Sequence, residues 1–248
     1  MKITFVHHSC FVVEIEDVAL VFDYFDGERV NGFHFTGKLP EFTPEQKIYF
    51  FASHSHQDHF DMDILKLVER YPQVTYIISK DCKMTDRFLK RHGIPEAAKN
   101  RIHYVTAESK YQIDDLTVET LRSTDAGVAF LVTACGKKIY HAGDLHNWKF
   151  EGVGELINGK MEREYKHQLK KLADQHINVA FVVLDPRMGA NTYLGFSYFM
   201  RNVDADLVFP MHMWQQFDLV EKYKKMCDNR LMLERIMDVT HENQLFEF

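Results

Sequence analysis

The chain has 248 residues, 46 % of them hydrophobic, and carries 36 acidic against 30 basic side chains for a formal net charge of -6. That is the balance of a globular protein with ample length for a core, as one large domain or two small ones. It argues against non-specific nucleic-acid binding as the main activity, because no basic patch stands out to neutralise phosphates.

Three β-branched and aromatic runs open the chain: Ile3 to Val6, Phe11 to Ile15 and Val18 to Phe22. They read as strands, with a polar break at Glu16-Asp17. His7 and His8 end the first and Asp23 ends the third. Residues 24–45 contain Gly27, Gly32, Gly37, Pro40 and Pro44 and read as a long loop that covers a pocket. Lys47 to Ala52 reads as a buried strand, and Asp61 as the N-cap of an amphipathic helix from Met62 to Arg70. A strand at Val74 to Ser79, a helix from Asp81 to His92 closed by Gly93, and short strands near 101–106, 111–113 and 116–122 follow.

In the second half, Val128 to Val132 and Lys138 to Tyr140 form an expected hairpin around Gly136-Lys137 that leads into His141-Ala142-Gly143-Asp144. A long amphipathic helix should bury Met161, Tyr165, Leu169, Leu172 and Ala173 along one stripe. A wholly apolar strand, Val179 to Leu184, runs into Asp185-Pro186-Arg187. A helix near 193–202, a strand at Leu207 to Phe209 leading to Pro210-Met211-His212, a helix over about 218–228 and an edge strand within 236–248 complete the reading. The expectation is one domain over 1–248 built of two pseudo-symmetric halves, about 1–122 and 123–248.

The densest chemistry lies at His54-Ser55-His56-Gln57-Asp58-His59, between a strand and a helix. Helix capping does not call for three imidazoles, whereas imidazole and carboxylate are good ligands for first-row metals, Zn²⁺ above all. Asp23, this histidine set, Asp144, Asp185 and His212 each follow an apolar strand. In layered α/β proteins ligands gather at such strand ends.

With these residues in place, the whole chain resembles the metallo-β-lactamase superfamily. His54 to His59 match its His-x-His-x-Asp-His signature, Asp23 its early aspartate, Gly143-Asp144 its later Gly-Asp and His212 its last ligand histidine. The resemblance implies an α/β fold of the four-layer αββα sandwich type, with the metal site at one edge. It implies that His54 and His56 bind a first metal, that Asp58, His59 and His212 bind a second, and that Asp144 bridges them. Asp23 would orient the histidine loop from behind. The family supplies a further histidine to the first metal where this chain has Ser123, a poor zinc ligand, and Asp125 could reach in instead. The implied cofactor is one or two Zn²⁺, with Mn²⁺ or Fe²⁺ favoured as carboxylates replace imidazoles. The opening Val6-His7-His8-Ser9-Cys10 is similar to the branch around the ascorbate-phosphate lactonase and brings His8 to the border of the site; a histidine packed in the sheet is the alternative.

The resemblance implies a metal-dependent hydrolase acting on a small ester, lactone or phosphoester. Asp58 would bind metal and orient the attacking water. His141 or His146 would donate to an oxyanion or leaving group, His146 being favoured for its place on the loop. Arg187 could clamp a substrate carboxylate or phosphate, or pair internally with Asp185. The rival readings are a metal-binding or ligand-sensing module without turnover, and a metallo-oxidoreductase of the same fold. The expected partner is a small molecule, with neither nucleic acid nor membrane. Cys10, Cys82, Cys135 and Cys227 show no CxxC spacing. With no signal-like apolar start and no run near the ~20 residues of a membrane span, they fit a soluble cytoplasmic protein.

Overall fold

The structure is a computed structural model and describes every residue except Arg29 and Asn31. It is a mixed α/β protein with two multi-stranded sheets, one in each of two compact units. The first unit comprises Met1–Thr106 and Glu242–Phe248; the second is Ala107–His241. The division thus falls before the strands at 110–122, not after them, and the last strand returns to the first unit.

In the first unit, β1 (Lys2–His7), β2 (Cys10–Ile15) and β3 (Val18–Phe22) form an antiparallel meander. Next, β4 (Lys47–Ala52), β5 (Val74–Ser79) and β6 (Ile102–Val105) continue the sheet in parallel. One face of this sheet, with Val6, Val12, Val21, Phe50, Tyr76 and Ile78, packs with Ile64, Leu65, Leu89 and Ala98 from the connecting helical segments. Phe5, Phe11, Leu20, Phe22, Phe51 and Ile77 of the other face are buried as well. Strands buried on both faces lose the polar alternation of a half-exposed sheet, which is why they read as unbroken apolar runs.

The expected helix after the histidine loop is a 3₁₀ segment, Met62–Glu69, and Asp61 caps it by accepting the Asp63 N–H at 2.9 Å. The expected helix over 81–92 is shorter: a 3₁₀ turn at Lys80–Cys82 precedes α1 (Asp86–Arg91), which Thr85 caps, and α2 (Glu96–Lys99) follows. Residues 24–45 form no helix or strand among those described. Gly37 in this loop lies so close to β1 that a Cβ would come within 2.1 Å of the Val6 carbonyl oxygen.

The second sheet repeats the plan. β7 (Lys110–Ile113), β8 (Leu116–Arg122), β9 (Val128–Ala134) and β10 (Lys137–His141) are antiparallel, and β11 (His176–Val183) and β12 (Asp204–Met211) extend it in parallel. α3 (Glu155–Leu169) buries Tyr165 and Leu169 and runs into a 3₁₀ turn that buries Leu172; Met161 is half-buried and Ala173 exposed, so the apolar stripe is shorter than its sequence pattern. α4 (Leu194–Asn202) stacks Phe199 on Tyr140 of β10 at 5.6 Å, and α5 (Asp218–Met226) sets Tyr223 edge-on to Phe196 at 5.0 Å. A short α6 (Arg230–Glu234) leads to the return strand β13 (Gln244–Glu247), antiparallel to β1. Beside that return, Glu242 accepts the N–H and hydroxyl of Thr36 at 2.6 and 2.7 Å, and the Asn243 N–H reaches the Val6 carbonyl at 3.1 Å.

Candidate metal centre

Parallel pairing decides which strand ends meet. In the first unit Phe22 of β3 is paired with Phe51 of β4, so Asp23 and Ser53 leave the sheet side by side. Asp23 is fully buried with φ 47°, a left-handed conformation that aspartate tolerates better than most residues. Its Oδ1 accepts the Ser53 N–H at 2.7 Å, and its Oδ2 accepts the Ser53 hydroxyl at 2.6 Å and stands 2.7 Å from His59 Nδ1. A carboxylate can only accept, so His59 carries its proton on Nδ1 and presents the lone pair of Nε2. His54 Nδ1 lies 2.9 Å from the Ser53 hydroxyl, and His54 Nε2 lies 2.9 Å from His56 Nδ1.

His8, with φ 47°, turns its fully buried ring onto this loop: His8 Nε2 is 3.3 Å from Asp58 Oδ2, and the same oxygen is 3.9 Å from His59 Nε2. One ligand atom each from His8, Asp58 and His59 falls within 4.8 Å of the others, and so does the trio Asp23, His54 and His59. His54 and His59 are buried, Asp58 is half-buried and His56 is exposed.

The second unit builds the same device from other strands. Val183 of β11 pairs with Met211 of β12, which brings Asp185 beside His212. Asp185 is fully buried, and its Oδ2 stands 2.8 Å from His212 Nδ1. Burial alone would raise this carboxyl, but the hydrogen bonds from His212 and Arg187 outweigh it and hold the group below the usual carboxylate range. His212, with φ 63°, therefore presents Nε2, which lies 3.5 Å from Oδ1 of Asp144. Asp144 follows β10 across Gly143, whose φ is 50° and whose N–H donates to His141 Nδ1 at 3.1 Å. Asp125 is exposed, and a carboxylate oxygen of Asp125 lies within 4.8 Å of one on Asp144. Ser123 turns back on its own segment, its hydroxyl accepting the Asp125 N–H at 3.2 Å.

Of the two readings of Arg187, the structure has the internal pair with Asp185. Arg187 is spent on Asp185, donating from its backbone at 2.8 Å and from Nε and Nη2 at 2.9 and 2.6 Å to the carboxylate, while its guanidinium sits 4.6 Å above the Trp214 ring. It is an internal ion pair, not an open clamp for substrate. His146 is fully buried, and burial lowers its pKa to about 3. Its ring packs 5.1 Å from Trp148 and 5.8 Å from Tyr165, against Gly195, as an interior side chain. The residue that sequence reasoning undervalued is Asp185. Its position after an apolar strand was visible, but its role as acceptor for His212 depends on a strand register.

These donor sets fit a metal. Each unit has a buried carboxylate locking one nitrogen of an imidazole, the supporting contact usual behind metal-ligating histidines. Two further carboxylates, Asp58 and Asp144, stand 3.9 and 3.5 Å from the opposite nitrogens of those rings. A lone pair facing a carboxylate at such range needs a cation or a proton between them.

Comparison with known proteins bears on the fold and the family. A family model described as a beta-lactamase superfamily domain matches residues 2–155. No curated protein matches the sequence. Among solved structures, a metallo-hydrolase from the archaeon Ignicoccus hospitalis superposes with a TM-score of 0.61 at 17 % identity, covering 100 % of this chain and 98 % of its own. The metallo-β-lactamase fold protein YhfI of Bacillus subtilis gives 0.57 at 10 % identity, over 99 % and 98 %. The diiron β-hydroxylase CmlA of Streptomyces venezuelae gives 0.51 at 12 % identity, over 86 % of this chain and 44 % of its own. At these identities the likeness establishes a shared fold. Among the described residues, no helix is long and apolar enough to cross a membrane.

Proposed function

This chain belongs to the metallo-β-lactamase superfamily, and within it we propose a metal-dependent hydrolase acting on a small ester, lactone or phosphoester. The observation that carries the reading is the repeated carboxylate–imidazole pair, Asp23 with His59 and Asp185 with His212. Each pair fixes the tautomer that a metal ligand needs.

The residues that would hold metal are His54, His56, Asp58 and His59 in the first unit and Asp144 and His212 in the second, with Asp125 in place of the histidine that Ser123 replaces. Zn²⁺ suits the histidines; Mn²⁺ or Fe²⁺ suits a set with this many carboxylates. A divalent metal supplies Lewis acidity and lowers the pKa of water to ~7, which makes a nucleophile at neutral pH. The chain's own residues do the positioning. Asp58 would bind metal and orient the attacking water, and His8 stands 3.3 Å from its carboxylate. Asp23 and Asp185 keep their imidazoles oriented, and the left-handed backbone at His8, Asp23 and His212 aims these side chains. No Gly-x-Ser-x-Gly elbow, Walker loop or GxGxxG motif occurs in the sequence to suggest serine chemistry or a nucleotide cofactor.

The test is a panel of esters, lactones and phosphoesters, assayed beside metal analysis for the wild type and Asp58→Ala. Turnover should fall by about 10²-fold or more in the variant, the usual worth of a positioned base. Wild-type turnover and metal content in Asp58→Ala would overturn the assignment. Iron with a redox-active spectrum and no hydrolysis would point to the oxidoreductase class instead.

A further inference from the structure

The second unit contains a cavity of about 550 Å³ that none of the proposed ligands lines. It lies against the loop that follows Asp144 and is walled by α3 and α4. Its size is that of a small-molecule site. Its charge is opposite to that of the protein: Lys149, Lys166 and Arg201 line it against a single carboxylate, Glu162, in a chain of net charge -6. Lys166 pairs with Glu162 and also lies 5.3 Å over the Tyr198 ring. Among the described residues, neither Lys149 nor Arg201 makes a direct ion pair, although the Lys149 charge acts on Glu162. Solvated surface lysines scatter; here Lys149 and Arg201 share one concavity with Lys166 and with Tyr193 and Ser197.

A second observation is independent of charge. Asn147 also lines the cavity and is only 4 % exposed; its amide oxygen is sealed from solvent and, among the described residues, has no hydrogen-bond partner. Leaving a buried amide without a partner is costly, so such groups are normally satisfied by protein, water or ligand. An amide can donate to an anion from one end and accept a hydroxyl at the other.

We propose that this cavity binds a small molecule carrying a phosphate or carboxylate group, held by Lys149, Arg201 and Asn147. The site goes beyond the hydrolytic reading and does not depend on it. Asn147 and Lys149 lie three and five positions after Asp144 in the sequence, so an occupant would engage the same loop that presents this carboxylate.

The experiment is isothermal titration of the full chain, as purified, with inorganic phosphate and with succinate, and with succinamide as the neutral control. Saturable binding of at least one anion and none of succinamide is expected. Lys149→Gln and Arg201→Gln should each weaken it about tenfold, the equivalent of one charge-assisted hydrogen bond. Asp58→Ala should bind as the wild type does. A Kd unchanged in both cavity variants, binding lost only in Asp58→Ala, or no saturable anion binding would each overturn the proposal. Thermal melts matching the wild type show that the variants are folded. Failure of the hydrolase reading would leave this titration unaffected, so the two outcomes are separable.

Discussion

Replacing Asp23 by asparagine alters the proton inventory of the histidine loop while leaving its shape. The left-handed backbone at φ 47° is one that asparagine adopts readily. The new amide oxygen can go on accepting the Ser53 N–H, now at 2.7 Å. The new NH₂ group falls where Oδ2 was, against the Ser53 hydroxyl and His59 Nδ1. The hydroxyl can rotate to accept. His59 Nδ1 can accept only if its proton moves to Nε2, and that move removes the lone pair a metal requires. Supporting contacts of this kind are worth 10–100-fold in metal affinity, or about 1.4–2.7 kcal/mol. The metal-free fold should lose about 1–2 kcal/mol, because charge-assisted hydrogen bonds become neutral ones. Competition with a chromophoric chelator measures the first quantity, and denaturant unfolding in excess EDTA the second. Asp185→Asn should behave alike through His212. A folded Asp23→Asn protein whose zinc affinity stays within about twofold of wild type would refute the tautomer argument.

Two further outcomes test the second unit. Gly195→Ala should destabilise by about 1–3 kcal/mol, since its Cβ would stand 2.3 Å from His146 Cε1; combining it with His146→Ala should recover part of that loss, and strict additivity in denaturant unfolding would show that the ring is not the obstacle. Glu108 accepts hydrogen bonds from Gln168 and Lys171, which pull its pKa from 4.5 down to about 2. Because the folded state holds the lower pKa, the contribution is complete above about pH 4.5 and fades as the pH falls toward 2. The group is partly exposed, so solvent screening limits it to about 1 kcal/mol. The stability gap between wild type and Glu108→Gln should therefore narrow between pH 7 and 3, and a gap constant with pH would count against the assignment.

What could be read from the sequence follows from what is local. Val18 to Phe22 and Lys47 to Ala52 declare themselves as strands because both of their faces are buried, and the histidines after Ala52 need no fold to look like ligands. Asp61 was legible as a cap because capping is settled within two residues. The Met62–Glu69 segment was legible as a helix but its winding was not, because its apolar spacing suits an α-helix as well as the tighter 3₁₀ form it takes. Asp185 and Arg187 were harder for a different reason. Their meaning rests on the parallel register that sets Val183 beside Met211, and no residue near Asp185 in sequence encodes it. The fate of His146 likewise depends on α4 placing Gly195 against its ring. Ser123 stands where the resemblance implies a further histidine, yet only the turn in which its hydroxyl takes the Asp125 N–H shows how the next carboxylate comes to lie near Asp144.

The return of β13 to β1 has a consequence for how the chain is made. Residues 107–241 leave the ribosome before the strand that completes the first sheet. Throughout that interval β1 offers an open edge, with nothing yet to occupy the positions that Leu245 and Phe246 take opposite Thr4 and Ile3. Unpaired edges recruit other strands. The nascent first unit is thus most exposed to association while the second is being synthesised, and residues 242–248 act as its closing seal.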